Sequence, residues 1–300
     1  ATYPYRWWVN RRRAATGKAP VIILFYHRIA DDAANLWTTP TGTFIQQMEW
    51  LRRHFDLVTL EEAQRRVASG HNERTAVHVT FDDGYAENCD VALPYLIEHE
   101  IPCTYFVASH HVITGESFAH DVAQGNAFPP NTIEQIQKIA AAGIEIGSHT
   151  RTHADLGRIA DPARLRNELV TSRQELERAV GRPVRFLSFP FGHYDNLTPA
   201  AFHAARDAGY DAVLSAYGGF NFPGDDAYHL QRIHADVENL RLKNWTTIDP
   251  RKLHTPRYDA RAFGTQPAAT PLTSGDDSAS HGTAHEQFAH EEPAAEPTPS

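Results

Sequence analysis

The sequence predicts an α/β protein in which parallel β/α units form one barrel-like domain. Seven runs rich in apolar, β-branched or aromatic residues alternate with segments of helical periodicity. Most of these runs are nearly continuous in apolar residues, as expected for strands that are covered on both faces. This many units fit one barrel better than two separate sheets. The runs cover residues 21–27, 76–81, 103–108, 144–148, 184–189, 212–217 and 230–234.

Signals for helix boundaries between the runs support this alternation. Each predicted helix starts at a Thr, Asn or Asp side chain that can cap free backbone N–H groups. Each ends near a glycine, which readily adopts the left-handed conformation that terminates helices. The predicted starts and ends are Thr59 and Gly70, Asn131 and Gly143, Asp161 and Gly181, and Thr198 and Gly209.

The two ends of the chain differ from the domain, which we predict over residues 21–256. Residues 1–20 carry five basic residues and no acid, so this N-terminal arm has a charge of +5. Its aromatic run Tyr5-Arg6-Trp7-Trp8 either lies against an anionic membrane surface or packs on the domain. Residues 257–300 carry seven acids against two arginines and few large apolar residues. We predict that this acidic tail is disordered.

Bulk composition excludes several classes of protein. A net charge of −9 argues against a general nucleic-acid binder, which needs a concentrated basic surface. Cys89 and Cys103 make no disulfide framework in a chain of this size. No stretch reaches the roughly 20 apolar residues of a membrane span. No signal peptide is visible in this chain, so the location stays open between the cytoplasm and the cell envelope.

Two groups of metal-binding residue types stand at the C-terminal ends of predicted strands, where β/α barrels place their active sites. Asp82 and Asp83 follow the second run, and adjacent carboxylates repel each other unless a cation or a shared proton relieves them. His149 and His153 follow the fourth run. Imidazoles four residues apart can reach one metal if the chain makes a helical turn there. Two histidines and one aspartate form the open three-ligand set that zinc accepts, and Co²⁺ or Ni²⁺ can use the same set.

A third group spans the end of the fifth run, in Ser188-Phe-Pro190-Phe191-Gly192. Proline and glycine fix the backbone of such a turn. This turn can aim the backbone N–H of Phe191 into the site.

The three motifs, in this order and at successive strand ends, resemble the polysaccharide deacetylase family (NodB-homology domain, carbohydrate esterase family 4) over residues 21–236. Phe-Asp-Asp-Gly followed by His-Thr-x-x-His is among its most specific signatures. Phe25-Tyr26-His27-Arg28-Ile29 and Ser-Phe-Pro-Phe-Gly are most similar to the branch that acts on poly-β-1,6-N-acetylglucosamine. The resemblance implies a distorted (β/α)7 barrel. It also implies a metal-dependent hydrolase that removes N-acetyl groups from N-acetylglucosamine-containing polysaccharide or oligosaccharide.

The resemblance also implies roles for the motif residues. Asp83, His149 and His153 hold a divalent metal, with zinc as the default and cobalt or nickel as alternatives. Asp82 is the general base that takes a proton from the attacking water.

On the substrate side, the resemblance places Pro190, Phe191 and Tyr85. The backbone N–H of Phe191 stabilises the oxyanion of the tetrahedral intermediate. A general acid must then protonate the leaving amine. We favour His27, which the poly-N-acetylglucosamine branch uses at this early position, over the late candidate His234.

One family residue is missing. The third motif usually carries an arginine two residues before the proline, where it orients the base, and this chain has Ser188 there. Arg185 is too far along the strand to replace it directly, so the sequence leaves the partner of Asp82 unidentified.

Other functions remain as alternatives. The domain is either catalytic or a non-catalytic homologue that binds glycan or metal, and the presence of Asp82 beside Asp83 favours catalysis. A different N-acetylated substrate, such as peptidoglycan, a chitin-like oligomer or a lipid-linked sugar, is also open. Non-haem iron oxygenases use a similar ligand set, but with a different spacing and an all-β fold.

Overall fold

Seven parallel strands curve into a nearly closed barrel in the computed structural model, which describes residues 3–235, 237–253 and 255–259. Neighbouring strands follow the order of the chain, so each β/α unit lies beside the next one. The last strand is interrupted at Arg232. Its first part pairs with the sixth strand and its second part pairs with the first strand, which brings the two edges of the sheet together. The predicted distorted (β/α)7 barrel is therefore confirmed.

Each predicted apolar run contains or overlaps a barrel strand, and the first six strands are almost completely buried. Helices cover their outer faces, so both faces of the sheet are apolar, as expected for parallel strands. A short strand, Asp56–Leu57, extends the sheet beside β2, and Arg28–Ile29 pairs with Thr38–Thr39 near the mouth of the barrel. The barrel strands are β1 (Val21–Tyr26), β2 (Ala76–Phe81), β3 (Cys103–Val107), β4 (Glu145–Ser148), β5 (Phe186–Ser188), β6 (Ala212–Ser215) and β7 (His229–Gln231 with Ile233–His234).

The helices begin mostly where the capping signals place them. The side chain of Thr59 accepts a hydrogen bond from the N–H of Glu62, and Asp161 and Thr198 cap their helices in the same way. The predicted start at Asn131 is wrong by one residue, because Thr132 forms the capping box with Gln135. The α-helices are α1 (Tyr3–Ala15), α2 (Thr41–His54), α3 (Leu60–Ala68), α4 (Ala92–Glu98), α5 (Ser109–Thr114), α6 (Ala119–Ala123), α7 (Ile133–Ala141), α8 (Pro162–Arg166), α9 (Ser172–Val180), α10 (Pro199–Asp207), α11 (Asn239–Trp245) and α12 (Pro250–Leu253).

The basic arm forms the helix α1, and one of its faces lies on the barrel domain. Trp7 stacks on Phe55 with ring centroids 6.1 Å apart, and Arg6 pairs with Asp249 at 3.3 Å. The predicted acidic tail lies outside the described residues except for Arg257, Tyr258 and Asp259. Among the described helices, none combines the length and the apolar character needed to cross a bilayer.

Candidate active site

A cavity of about 370 Å³ opens at the C-terminal ends of the barrel strands. This is the end of a β/α barrel at which the loops after the strands converge. The cavity is lined by most of the residues that the sequence motifs single out. The lining comprises Phe25, His27, Leu36, Trp37, Asp82, Asp83, His120, Gln124, His149, His153, Phe189, Phe191, His193, Ala216 and His234.

Asp83, His149 and His153 bring three potential metal ligands together on the floor of the cavity. One ligand atom from each lies within 4.8 Å of the others, and this is the one such group among the described residues. Asp83 Oδ1 is 3.4 Å from His149 Nε2 and 3.2 Å from His153 Nε2. The two aspartates and His149 are almost fully buried.

The hydrogen-bonding pattern at this trio fits a cation. His149 Nδ1 lies 2.9 Å from the carbonyl oxygen of Ser188. A carbonyl can only accept, so Nδ1 carries the proton, and in the neutral ring Nε2 presents a lone pair to Asp83. Asp83 Oδ1 is buried and has no hydrogen-bond partner among the described residues. When both imidazoles are neutral, these converging acceptor atoms make a ligand set for a divalent metal.

The backbone at the site is strained. Among the described residues, five that are not glycine have positive φ, and four of them lie in the site loops: Asp83 (71°), Thr150 (64°), His153 (57°) and Phe191 (62°). Such residues cost roughly 1–3 kcal/mol each and cluster at functional sites. The helical turn that we expected between His149 and His153 is wrong, because two left-handed residues turn the chain there instead.

Glu168 stabilises this turn from outside the cavity. Its buried carboxylate accepts hydrogen bonds from the N–H groups of Arg151 and Thr152, at 3.0 and 2.9 Å, and from the Thr152 hydroxyl at 2.7 Å. Glu168 belongs to a π-helical segment, Asn167–Thr171, that joins α8 to α9. The π segment is a rare feature that often occurs beside functional sites. The sequence pattern, which is simply helical here, gives no sign of it.

Arg232 is the missing partner of Asp82. Its Nη1 and Nη2 donate to the two carboxylate oxygens of Asp82, both at 2.7 Å, and Nη2 also donates to Ser188 Oγ at 2.6 Å. Arg232 is completely buried at the break in β7. Arg185 instead pairs with Glu61 and Asp211. An arginine inside the apolar run 230–234 was the signal in the sequence, since a buried charge needs a partner.

The charge of Asp82 is balanced within the protein. Burial alone would raise the pKa of its carboxyl group, but the Arg232 guanidinium outweighs this effect and lowers the pKa. Burial acts on Asp83 in the same direction, and His153 and His149 hold the pKa of that carboxyl well below its usual range. Both carboxylates are therefore ionised at neutral pH.

Both candidate acids line the cavity. The rings of His27 and His234 are 6.1 Å apart, and Phe25 contacts both of them. His27 Nδ1 is buried without a hydrogen-bond partner among the described residues. Burial lowers the pKa of His27, although Asp83 and Asp82 oppose this shift.

The three residues expected on the substrate side lie in different environments. Phe191 is at the mouth with 52% of its surface exposed, and its ring is 5.2 Å from that of His153. Pro190 is buried, and its carbonyl accepts from the N–H of Gly192 at 2.7 Å. Tyr85 is fully buried, and its hydroxyl donates to Asp121 at 2.7 Å. Tyr85 thus lies behind the cavity wall, contrary to the expectation that it contacts substrate.

Comparison with known proteins identifies relatives of the chain. The family model for polysaccharide deacetylases matches residues 69–213. The chain is 27% identical over 228 residues to the polysaccharide deacetylase YxkH of Bacillus subtilis (strain 168), covering 75% of this chain and 74% of YxkH. It is 32% identical over 120 residues to a chitooligosaccharide deacetylase of Bradyrhizobium sp. (strain ANU 289), covering 39% of this chain and 46% of that protein.

A solved structure agrees with these matches. IcaB from Ammonifex degensii superposes with a TM-score of 0.63 at 25% identity, covering 76% of this chain and 97% of IcaB. The matched region of the family model contains the Asp-Asp pair, both histidines of the trio and the Pro190 turn. Residues 69–213 form a domain that matches the polysaccharide deacetylase family, whose members are hydrolases that act on N-acetyl amides.

Proposed function

We propose that this protein is a metal-dependent N-deacetylase of N-acetylglucosamine-containing polysaccharide or oligosaccharide. The observation that carries the proposal is the pair of adjacent buried carboxylates with different partners. Asp82 is held by Arg232, and Asp83 faces His149 and His153. A protein that only bound metal would need the second carboxylate alone, whereas hydrolysis also needs a base.

Different residues of the chain carry out the successive steps of the proposed reaction. Asp82, kept ionised by Arg232, takes a proton from the water that attacks the acetamide carbonyl carbon. The backbone N–H of Phe191 donates to the oxyanion that forms. His27 donates a proton to the amide nitrogen as the C–N bond breaks, and the products are acetate and a free amine. A divalent cation held by Asp83, His149 and His153 would act as a Lewis acid and make the attacking water more acidic.

Zinc is the cation that best suits two imidazoles and one carboxylate. Cobalt and nickel use the same ligands, so reloading stripped protein with each ion decides between them. For the substrate, the sequence around His27 and the Ser-Phe-Pro-Phe-Gly turn support the β-1,6-linked polymer.

The test is acetate release from N-acetylglucosamine oligomers of β-1,6 and β-1,4 linkage. Metal-stripped protein, zinc-reloaded protein and the Asp82→Asn variant are compared. We expect release only from reloaded wild-type protein, faster on the β-1,6 oligomer. Tight metal binding with no release from either oligomer would contradict the proposal and support a binding-only role.

We also propose that the outer face of α1 contacts an anionic membrane surface. Tyr5 and Trp8 are 65% and 52% exposed and stack at 6.0 Å, and the Arg12 guanidinium lies 5.1 Å from the Trp8 ring. Aromatic and basic side chains on one helix face suit the interface of an anionic bilayer.

Sedimentation with vesicles tests this contact. We expect binding to vesicles that contain phosphatidylserine, weaker binding at high salt, and a loss of binding in the double variant Tyr5→Ser and Trp8→Ser. Ile113→Ser is the matched control, because Ile113 is 50% exposed on a different helix. Equal sedimentation of both variants and the wild type would exclude α1 as the contact.

A further inference from the structure

Trp37 forms one wall of the cavity mouth. It is 37% exposed, and its neighbour Leu36 is 82% exposed. The Trp37 ring lies 4.8 Å from that of His27 and meets His234 edge-on at 5.8 Å. These contacts leave part of the indole open at the mouth. Exposed aromatic surface next to a catalytic cavity indicates a binding surface.

The loop that carries Trp37 is held in place although its tip is exposed. Asn35 Oδ1 accepts from the N–H of Trp37 at 2.9 Å and from the Thr38 hydroxyl at 2.8 Å. The Thr38–Thr39 strand that follows pairs with Arg28–Ile29. The loop is therefore fixed directly before and after Trp37, which reduces the entropy lost when a ligand binds to the ring.

Asp121 connects this loop to the catalytic floor. It is completely buried on α6, and its carboxylate accepts from Asn35 Nδ2 at 2.9 Å and from the Tyr85 hydroxyl at 2.7 Å. Tyr85 follows Asp82-Asp83-Gly84 directly in the chain. One buried carboxylate thus joins three segments: the Trp37 loop, the loop of the two aspartates and the α6 segment that places His120 in the cavity.

Phe191 provides a second exposed aromatic ring at the same mouth, next to His153. A pyranose ring has apolar C–H faces and polar edges, so its faces suit aromatic rings while its hydroxyl groups remain in water. Rigid aromatic side chains supply such contact area at a low entropy cost.

We infer that Trp37 binds a pyranose ring of the substrate by stacking and that Asp121 is a positioning residue for the Trp37 loop. This inference rests on the proposed deacetylase function and adds to it a determinant of sugar binding that lies outside the sequence motifs.

Steady-state kinetics on whichever N-acetylglucosamine oligomer releases acetate provide the first test. We expect Trp37→Ala to raise KM about 10-fold with a smaller change in kcat, and Trp37→Phe to retain most of the affinity. Asp121→Asn should change KM in the same direction, because the amide places an NH2 donor where one of the two carboxylate oxygens accepts from Asn35 or Tyr85. Ile113→Ala is the matched control, since it removes an exposed apolar side chain on α5 that does not line the cavity and should leave KM unchanged.

A binding measurement separates this inference from the proposed function. In the Asp82→Asn background, calorimetry with the same oligomers should show affinity about 10-fold lower when Trp37 is replaced by alanine. Circular dichroism confirms that each variant is folded. If Trp37→Ala left both KM and the affinity within twofold of the parent, the stacking role would be overturned, whether or not acetate is released.

Discussion

Asp82 and Asp83 are neighbours in the chain and equally buried, but the protein surrounds them differently. The two oxygens of Asp82 both receive hydrogen bonds from Arg232, a cation that belongs to the chain. Asp83 faces His149 and His153, which are neutral in their ligand form. The charge of Asp82 is therefore neutralised within the chain, and in the proposed mechanism the charge of Asp83 is balanced by a bound cation.

This difference explains how one dipeptide can supply both a base and a ligand. A carboxylate that is bound to a fixed guanidinium stays ionised and oriented without giving its electrons to a metal. Its neighbour is turned the other way by a left-handed backbone, with φ of 71°. In the proposed mechanism, the pair thus assigns the base to Asp82 and the metal ligand to Asp83.

The largest expected effect concerns the third group near both carboxylates, the general acid. We expect His27→Gln to lower kcat by about 10²–10⁴-fold and His234→Gln to lower it by less than about 10-fold. An acid must be protonated to act, and burial lowers the pKa of His27. Wild-type activity should therefore fall as the pH rises through a value below the usual histidine pKa, and this fall should disappear in His27→Gln. The measurement is kcat for acetate release as a function of pH. A greater loss in His234→Gln would assign the acid to that residue instead.

Replacing Arg232 tests how much the guanidinium beside Asp82 stabilises the protein. Arg232→Met leaves a buried carboxylate without its partner, which costs about 3–5 kcal/mol of unfolding free energy at neutral pH. Without the guanidinium, burial raises the pKa of Asp82, so the deficit should shrink as the pH falls and Asp82 becomes protonated. Urea denaturation at neutral and mildly acidic pH measures both effects.

Arg185→Met is the control for this variant. Arg185 pairs with Glu61 and Asp211 and is partly exposed, so its loss should cost less than about 1 kcal/mol. A similar cost for the two variants would mean that the Arg232 pair has no special importance.

Zinc binding tests the environment of Asp83, and its expected effect on the free energy of unfolding is smaller. Zinc at 100 times its Kd should raise the free energy of unfolding by about 2.7 kcal/mol, and a chelator should reverse this. The Asp83→Asn variant should show little stabilisation at the same zinc concentration. Thermal or urea unfolding with and without zinc measures the difference, and equal stabilisation of both proteins would place the cation elsewhere.

The sequence predicts much of the fold because the barrel depends on local signals. Apolar runs mark the seven strands, and side-chain caps such as Thr59 and Asp161 mark helix starts within a residue or two. The convergence of Asp83, His149 and His153 is predictable as well, because these residues belong to short motifs at strand ends. The position at which the barrel closes, Arg232, cannot be predicted from local signals, because closure depends on pairing between the two ends of the domain.

The residues that the sequence analysis missed act over long distances in the chain. Arg232 reaches Asp82 across 150 positions, and Asp121 reaches Asn35 across 86. Glu168, on the π segment, supports the histidine turn through hydrogen bonds to residues 17 and 16 positions away. Our expectation that Tyr85 contacts substrate failed for a related reason. Its motif is local in the chain, but its hydroxyl donates to Asp121 on α6, and this long-range contact holds it behind the cavity wall. Spacing rules describe neighbours in the chain, and these contacts are set by tertiary packing.

The most direct test of the division between the two aspartates compares Asp82→Asn with Asp83→Asn for bound zinc and for acetate release. The account predicts that Asp82→Asn binds zinc in the same stoichiometry as the wild type but releases no acetate. It predicts that Asp83→Asn loses both properties. Wild-type zinc binding by Asp83→Asn, or substantial acetate release by Asp82→Asn, would contradict it.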